Sequence, residues 1–344
     1  MRATSRTASV LRAWLSHEWL VLQKACCRYT NNREKLLRLR YKEKFGHEPD
    51  LEHPQTLNEK VMWLMLHADD RRWSELADKY RVREYVKQCG LGHMLNELYA
   101  VWHSAEEIDL DDPRLPDSFV LKPNNGYGDI VLVRNRKQID RRAVLRRMAD
   151  AMRHRFGRKS GEWHYLAIKP CIIAERLLPA DPAFGSTLVD YKFYCFDGKP
   201  RYCQVCYERT TPSHAKKELY DARTWEDLGR YVRHTGDAPV RQRIPRPESL
   251  DEMLKAAERL SAGFRMVRVD FYEVEGRPVF GEMTFTPAAG TSMNFTDEFQ
   301  HILGDCLPLP ECRSAQKHGK AAFPSIFNLL FLVFNFEFGI FALL

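Results

Sequence analysis

The stretch MVRVDFYEVEGRPVFGEMTFTPAAG, residues 266–290, alternates apolar and polar side chains on either side of Glu275-Gly276. It predicts two antiparallel strands joined by a tight turn. Each strand carries an acid, Asp270 in the first and Glu282 in the second. Like charges facing one another weaken a purely structural hairpin, so the pair raises the question of what would hold two carboxylates together there. Register sets a condition. A two-residue turn at Glu275-Gly276 places Asp270 opposite Gly281 and turns Glu282 away, whereas one extra residue, in the connection or as a bulge, restores facing acids. An irregularity is therefore expected in this hairpin.

The chain has 344 residues, of which 44% are hydrophobic and 12% aromatic, a composition that builds a sizeable core and excludes a disordered chain. Lys and Arg number 53 against 46 Asp and Glu, a formal charge of +7. Both signs run along the whole sequence, so the surplus favours an anionic partner (a nucleotide, an acidic glycan or a phospholipid surface) without singling out nucleic acid. Nine cysteines at irregular spacing fit a reduced, cytoplasmic protein better than a disulfide scaffold. Cys203 and Cys206 lie in an alternating run where residues three apart take opposite faces, which argues against a shared metal.

The two ends differ from the middle. The first 28 residues are basic, with Val10, Leu11, Trp14, Leu15 and Trp19 at helical spacing. They fit a helix on a membrane surface or one packed on its own domain, and without an uninterrupted apolar segment and a small-residue cleavage site they are not expected to act as a secretory signal. The last 22 residues, 323–344, are almost wholly apolar but contain Asn328, Asn335 and Glu337, which are costly in hydrocarbon. A membrane-embedded tail, a partner-facing segment and a non-native end are all open readings. Between the ends, helical patterns run from about 33 to 90. The Pro- and acid-rich IDLDDPRLPDS then leads into mixed α and β patterns reaching about Pro310.

In DSFVLKPNNGYGDIVLVRN a strand at Phe119–Lys122 enters Asn124, Asn125, Gly126, Tyr127 and Gly128 and a second strand follows at Ile130–Val133. Glycines at such a turn let backbone N–H groups approach phosphate oxygens, and a lysine at the strand end supplies a point charge. The loop lacks the lysine-hydroxyl pair and the following helix of a P-loop. A buried strand ending in Glu175-Arg176-Leu177-Leu178 comes next, then a hairpin over 190–205 turning at Asp197-Gly198, and then the opening stretch.

PQTLNEKVMWLML, ADKYRVREYV, FVLKPNNGYGD, DYKFYCFDGKP, RVDFY and GEMTFTPAAG, in this order over about residues 40–310, resemble the TupA-like (teichuronopeptide biosynthesis) branch of the ATP-grasp superfamily. The resemblance implies an α+β fold of two subdomains clasping ATP, with a helical region at 1–75, the ATP-grasp domain at 76–310, and a polar linker and apolar tail at 311–344. It further implies that Lys122 contacts nucleotide phosphates beneath a lid of Asn125, Gly126, Tyr127 and Gly128. Glu175, Arg176, Leu177 and Leu178 would form the adenine hinge. Lys192, beside Asp190, would be a phosphate-binding cation, Arg268 would steady the transferred phosphoryl group, and Asp270, Glu282 and Thr284 would hold Mg²⁺, with Mn²⁺ as a substitute. Two departures stand out: Thr284 replaces the asparagine of many superfamily members, and Asn-Gly-Tyr-Gly replaces the His-Gly-Ser-Gly common in the branch.

The implied reaction joins a carboxylate to an amine through an acyl phosphate at the expense of ATP. The carboxylate would belong to an acidic glycan of the cell surface and the amine to an amino acid, on the cytoplasmic side of the membrane or associated with its inner face. The competing reading is a glycosyltransferase using a nucleotide sugar through Asp109-Leu110-Asp111, though that motif lacks flanking apolar strands. Lys79 and Arg83, one helical turn apart, fit either a substrate-facing pair or a solvated face.

Overall fold

The computed structural model describes residues 17–126, 128–185, 187–211, 214–233 and 242–310. The helical patterns of the first quarter form α1 (17–29), α2 (Arg33–Phe45), α3 (Leu57–His67), α4 (Arg71–Leu76) and α5 (Val82–Gln88). Helix α3 begins at a reciprocal cap: the Thr56 hydroxyl accepts from the Glu59 N–H, and the Glu59 carboxylate accepts from the Thr56 N–H. The helix is buried almost all round. Its Asn58 donates to Ser292 O at 2.9 Å and accepts from Ser292 N at 3.0 Å. Thus α3 packs directly beneath the loop that follows the opening stretch.

Two antiparallel sheets carry the rest. The first runs β1 (Leu98–Trp102), β4 (Ile172–Arg176), β2 (Phe119–Pro123), β3 (Val131–Val133). Alternation along β2 sends Phe119 and Leu121 into a core with Val133, Ile172, Ala174 and the Val144 and Met148 side of α6 (Arg141–Arg153). Val120 and Lys122 take the other face, with Leu132 and Glu175 as the register partners of Val120.

The second sheet runs β7 (His214–Asp221), β6 (Lys199–Thr211), β5 (Asp190–Phe196), β8 (Met266–Val274), β9 (Arg277–Thr284). Helix α7 (Leu250–Ser261) covers one face, its Leu250, Met253, Ala256, Ala257 and Leu260 packing over a sheet that buries Phe193, Val267, Val269 and Phe271. Helix α8 (Asp297–Asp305) closes against α3. The architecture is α+β, as the family resemblance implies.

Both hairpins of this sheet turn where expected. Asp197 and Gly198 have φ of 45° and 74°, and Glu275 and Gly276 have 53° and 71°. Such paired positive φ values match the twist of the flanking strands. The expected irregularity is also present, in the strand rather than the turn. Val274 pairs with Arg277 and Phe271 with Phe280, yet Asp270 pairs with Glu282, leaving Gly281 as the extra residue of a bulge. A Cβ at Gly281 would lie 2.9 Å from the Asp270 carbonyl oxygen, so the bulge closes only around glycine.

Residues 1–16 and the apolar tail 323–344 lie outside the described residues. Among the described residues no helix is long and apolar enough to cross a membrane.

Gly281→Ala is expected to destabilise the protein by about 1–3 kcal/mol in urea unfolding, the range of an over-packed core position. An unchanged midpoint would show that the strands separate here without cost.

Candidate active site

Register alone assembles the site. Lys192, Asp270 and Glu282 are successive partners across β5, β8 and β9, and Tyr194, Arg268 and Thr284 form the next row on the same face. Arg268 Nη2 lies 2.7 Å from Asp270 Oδ2, 3.1 Å from Glu282 Oε1 and 3.1 Å from Thr284 Oγ1. Arg268 Nε donates to Asp270 Oδ1 at 2.7 Å. The cation that joins the two acids in this structure is therefore a guanidinium, where the sequence pointed to a divalent metal. All three expected metal ligands nevertheless converge on one nitrogen, and they are the hard oxygen donors that Mg²⁺ takes. Among the described residues no cluster of three or more His, Cys, Asp or Glu is placed for a metal, so this donor set is two carboxylates and a hydroxyl.

Lys192 Nζ adds contacts of 2.5 Å to Asp270 Oδ2 and 3.3 Å to Asp190 Oδ1, and Arg209 closes on the other oxygen of Asp190. Burial disfavours the charged form of Asp270, but Arg268 and then Lys192 outweigh it and hold the carboxyl below the usual aspartate range. Burial likewise opposes the Lys192 ammonium, and Asp190 and Asp270 reverse it, raising its pKa. These buried charges depend on one another.

The glycine loop faces this row. Lys122 pairs with Glu175 Oε2 at 2.8 Å, and Arg83 reaches Glu175 Oε1 at 3.2 Å. Glu175, expected at an adenine hinge, thus spends its carboxylate on two cations. Arg176 is held through its backbone, its N–H on Glu97 O and its carbonyl accepting from Asn96 Nδ2 at 2.9 Å. Leu177 and Leu178 follow β4, half-buried. Asn124 is pinned by bonds to Lys169 O and from Cys171 N, and Asn125 is buried beside it. At Gly126 φ is 70° and a Cβ would sit 2.5 Å from Phe156 Cδ2, so packing on Phe156 demands this glycine. Tyr127 lies outside the described residues. Gly128 O accepts from Arg147 Nη2 at 3.2 Å.

Lys79 and Arg83 both belong to the site, which their sequence context left open. Asp78 accepts from Tyr80 N at 2.8 Å and Arg81 N at 3.1 Å, and Lys79 N donates to Asn124 O at 2.8 Å, so this turn and the glycine loop are built together. Lys79 Nζ donates to Gly126 O at 2.5 Å and stands 3.7 Å from Glu282 Oε2. Burial depresses the Lys79 pKa, Glu282 offsets part of this, and Lys122 adds to it. The ammonium is under-compensated and suited to an incoming anion. Gln204, the register partner of Lys192, is 2% exposed, and its Nε2 has no hydrogen-bond partner among the described residues. Its signal in the sequence was only its place in the otherwise apolar run 202–207.

Asp109 and Asp111 form no comparable pair. The Asp109 carboxylate accepts from Asp111 N at 2.8 Å, and Asp111 is locked to Arg141 at 2.6 Å, outside any strand.

A family model described as TupA-like ATPgrasp matches residues 59–308. The chain belongs to the TupA-like ATP-grasp family. Solved structures similar to it include a D-alanine–D-alanine ligase from Bacillus anthracis complexed with ATP, at 14% identity over 68% of this chain and 63% of that one, TM-score 0.40. D-cycloserine synthetase DcsG is 15% identical over 69% and 70% of the two chains, TM-score 0.38. The ATP-grasp ligase PsnB with minimal precursor, Mg and ADP is 14% identical over 82% and 72%, TM-score 0.36. The chain spans 63% and 59% of the lengths of the D-alanine–D-alanine ligases from Bacillus anthracis and Helicobacter pylori. No curated protein matches it. Within this TupA-like ATP-grasp chain, the matched span includes both sheets and also Lys79 and Arg83.

Asp270→Asn leaves Arg268 and Lys192 without their buried counterion and is expected to cost about 3–5 kcal/mol in urea unfolding at pH 7. The folded pKa of Asp270 is depressed, so its contribution is complete above the ordinary aspartate value of about 3.9 and is lost as pH falls through the folded value. The gap between wild type and variant should narrow on acidification. A gap that persists unchanged at the lowest pH would show that shape rather than charge is at stake.

Proposed function

We propose that the protein is an ATP- and Mg²⁺-dependent carboxylate–amine ligase. It transfers the γ-phosphoryl group of ATP to a carboxylate, and an amine then displaces phosphate to give an amide, ADP and inorganic phosphate. The observation that carries this reading is the convergence of Asp270, Glu282 and Thr284 on one cationic position, flanked by Lys192, Lys79 and Lys122. Membership of the TupA-like ATP-grasp family supports it.

The difficulty of the reaction is bringing anionic phosphates to an anionic carboxylate. Asp270, Glu282 and Thr284 would hold Mg²⁺, or Mn²⁺ on the same oxygens, and the bound ion would neutralise charge on the phosphates. Lys122 and Lys79 bind phosphate oxygens beneath the loop at Asn125, Gly126, Tyr127 and Gly128, which excludes water. Glu175 orients Lys122 and Arg83, while the backbone at Arg176, Leu177 and Leu178 borders the adenine. Lys192, steadied by Asp190, and Arg268 place positive charge where it develops on the transferred group. The acceptor carboxylate belongs on this reading to an acidic glycan of the cell surface and the amine to an amino acid. The site of action is the cytoplasm, at the inner face of the membrane. The competing nucleotide-sugar transferase reading is less favoured, since Asp109 and Asp111 lie outside any strand and Asp111 pairs with Arg141.

Calorimetry with the full chain is expected to show ATP binding that requires Mg²⁺ and is weakened by at least about tenfold in Lys122→Met and Glu282→Gln, each of which removes one charged contact. Folded protein that binds no ATP would refute the ligase reading.

Arg268 and the metal claim the same three oxygens, so Arg268→Met should leave facing carboxylates that Mg²⁺ restores. Millimolar Mg²⁺ is expected to raise the melting temperature of the variant by about 3 °C or more beyond its effect on wild type. Equal shifts would mean that guanidinium and metal do not share a site.

A further inference from the structure

The positive charge is not spread evenly over the molecule. Between Arg134 and Lys159 eleven Lys and Arg stand against two Asp, an excess greater than the +7 of the whole chain. The centre of this stretch is α6. At 100° per residue its buried Val144, Met148 and Ala151 point to the first sheet, which puts Arg142, Arg146 and Arg153 along the opposite, solvent side. That row spans about 16 Å at the helical rise. Exposed Arg155, Arg158 and Lys159 continue it past the helix end.

Some of these cations are already spent: Arg141 on Asp111, Arg153 on Asp150 and Arg136 on Asp117. Arg142, Arg146, Arg155, Arg158 and Lys159 have no acidic partner among the described residues. Such a concentration of like charge repels itself and is kept only weakly stable by solvent screening. It is complementary to a chain of anions.

We propose that this surface docks a polymer bearing repeated carboxylates, the acceptor itself, so that the proposal rests on the ligase reading for the identity of its ligand. Three observations favour that partner. Nine of the eleven cations are Arg, whose planar fork pairs with carboxylates through two hydrogen bonds. The exposed large hydrophobic side chains of the described residues include none between 134 and 159, so the surface lacks the apolar anchors of a membrane-bound helix and the exposed aromatics on which nucleic-acid bases stack. The surface also adjoins the glycine loop, through Arg147 on Gly128 O and through Phe156 beneath Gly126. A polymer lying along α6 is thereby held within reach of the site on the far side of that loop.

The test uses the full chain and fluorescein-labelled oligogalacturonate, a polyuronate probe, in anisotropy titrations at low and at physiological salt. Phosphatidylserine vesicles, single-stranded DNA and neutral dextran are compared at matched charge or mass. The variant is Arg142→Gln with Arg146→Gln and Arg158→Gln, three exposed changes outside the nucleotide machinery, and its fold is verified by an unchanged melting temperature and unchanged ATP affinity. The expected result is salt-sensitive binding of oligogalacturonate that the triple variant weakens by at least about tenfold. Equal binding by the variant would overturn the proposal, as would a preference for vesicles or DNA over the polyuronate. Loss of polymer binding with retained Mg²⁺-dependent ATP binding isolates this surface, whereas absent ATP binding with retained polymer binding sinks the ligase reading alone.

Discussion

The facing of Asp270 and Glu282 is the constraint on which the site depends. Two-residue hairpin geometry forbids it, and the bulge at Gly281 permits it by turning every residue beyond it by one position. Without that single extra residue Glu282 and Thr284 would point toward α7, among Val267, Val269 and Phe271, where a carboxylate has no partner. The glycine is fixed in turn by the Asp270 carbonyl against which it lies. Backbone register thus does what no choice of side chain could.

Bringing buried Asp270 and part-exposed Glu282 together creates a charge problem that the surrounding residues solve as a group. Arg268 lies between the acids, Lys192 bonds Asp270 and Asp190, and Arg209 completes Asp190. Across from them Glu175 holds Lys122 and Arg83, while Lys79 leans between the glycine loop and Glu282. Six cations therefore surround four carboxylates in a region largely withdrawn from water. The group carries a residual positive charge, and Lys79, whose pKa burial depresses despite Glu282, is a cation that its neighbours compensate only in part.

How much of this was legible in the sequence depended on whether the deciding interaction was local. The turns at Asp197-Gly198 and Glu275-Gly276 are two-residue events and were readable, and the bulge followed because the acids and the turn could be counted along one hairpin. The bridging of both acids by Arg268 was not legible, because it depends on side-chain reach across two strands that only the folded sheet shows. Lys79 and Arg83 showed their helical spacing yet not their destination, because the approach of this turn to Asn124 joins segments some 45 residues apart in sequence. Gly126 was readable as a glycine position, but its packing against Phe156 was not, because no local pattern reveals that neighbour. The basic stretch around α6 was present in the sequence, but averaging charge over the chain concealed it.

Alternation along one strand of the first sheet separates two sets of cations. Lys122 and Val120 take one face, and Phe119 and Leu121 pack toward α6, so the arginine row lies across a layer of buried core from Lys122. Any route between the two sets passes around that core, which admits no anion. The glycine loop touches both sides, through Lys79 on the Gly126 carbonyl and Arg147 on the Gly128 carbonyl, two residues apart. Its backbone is thus anchored from each face of the first sheet by a cation of a different set.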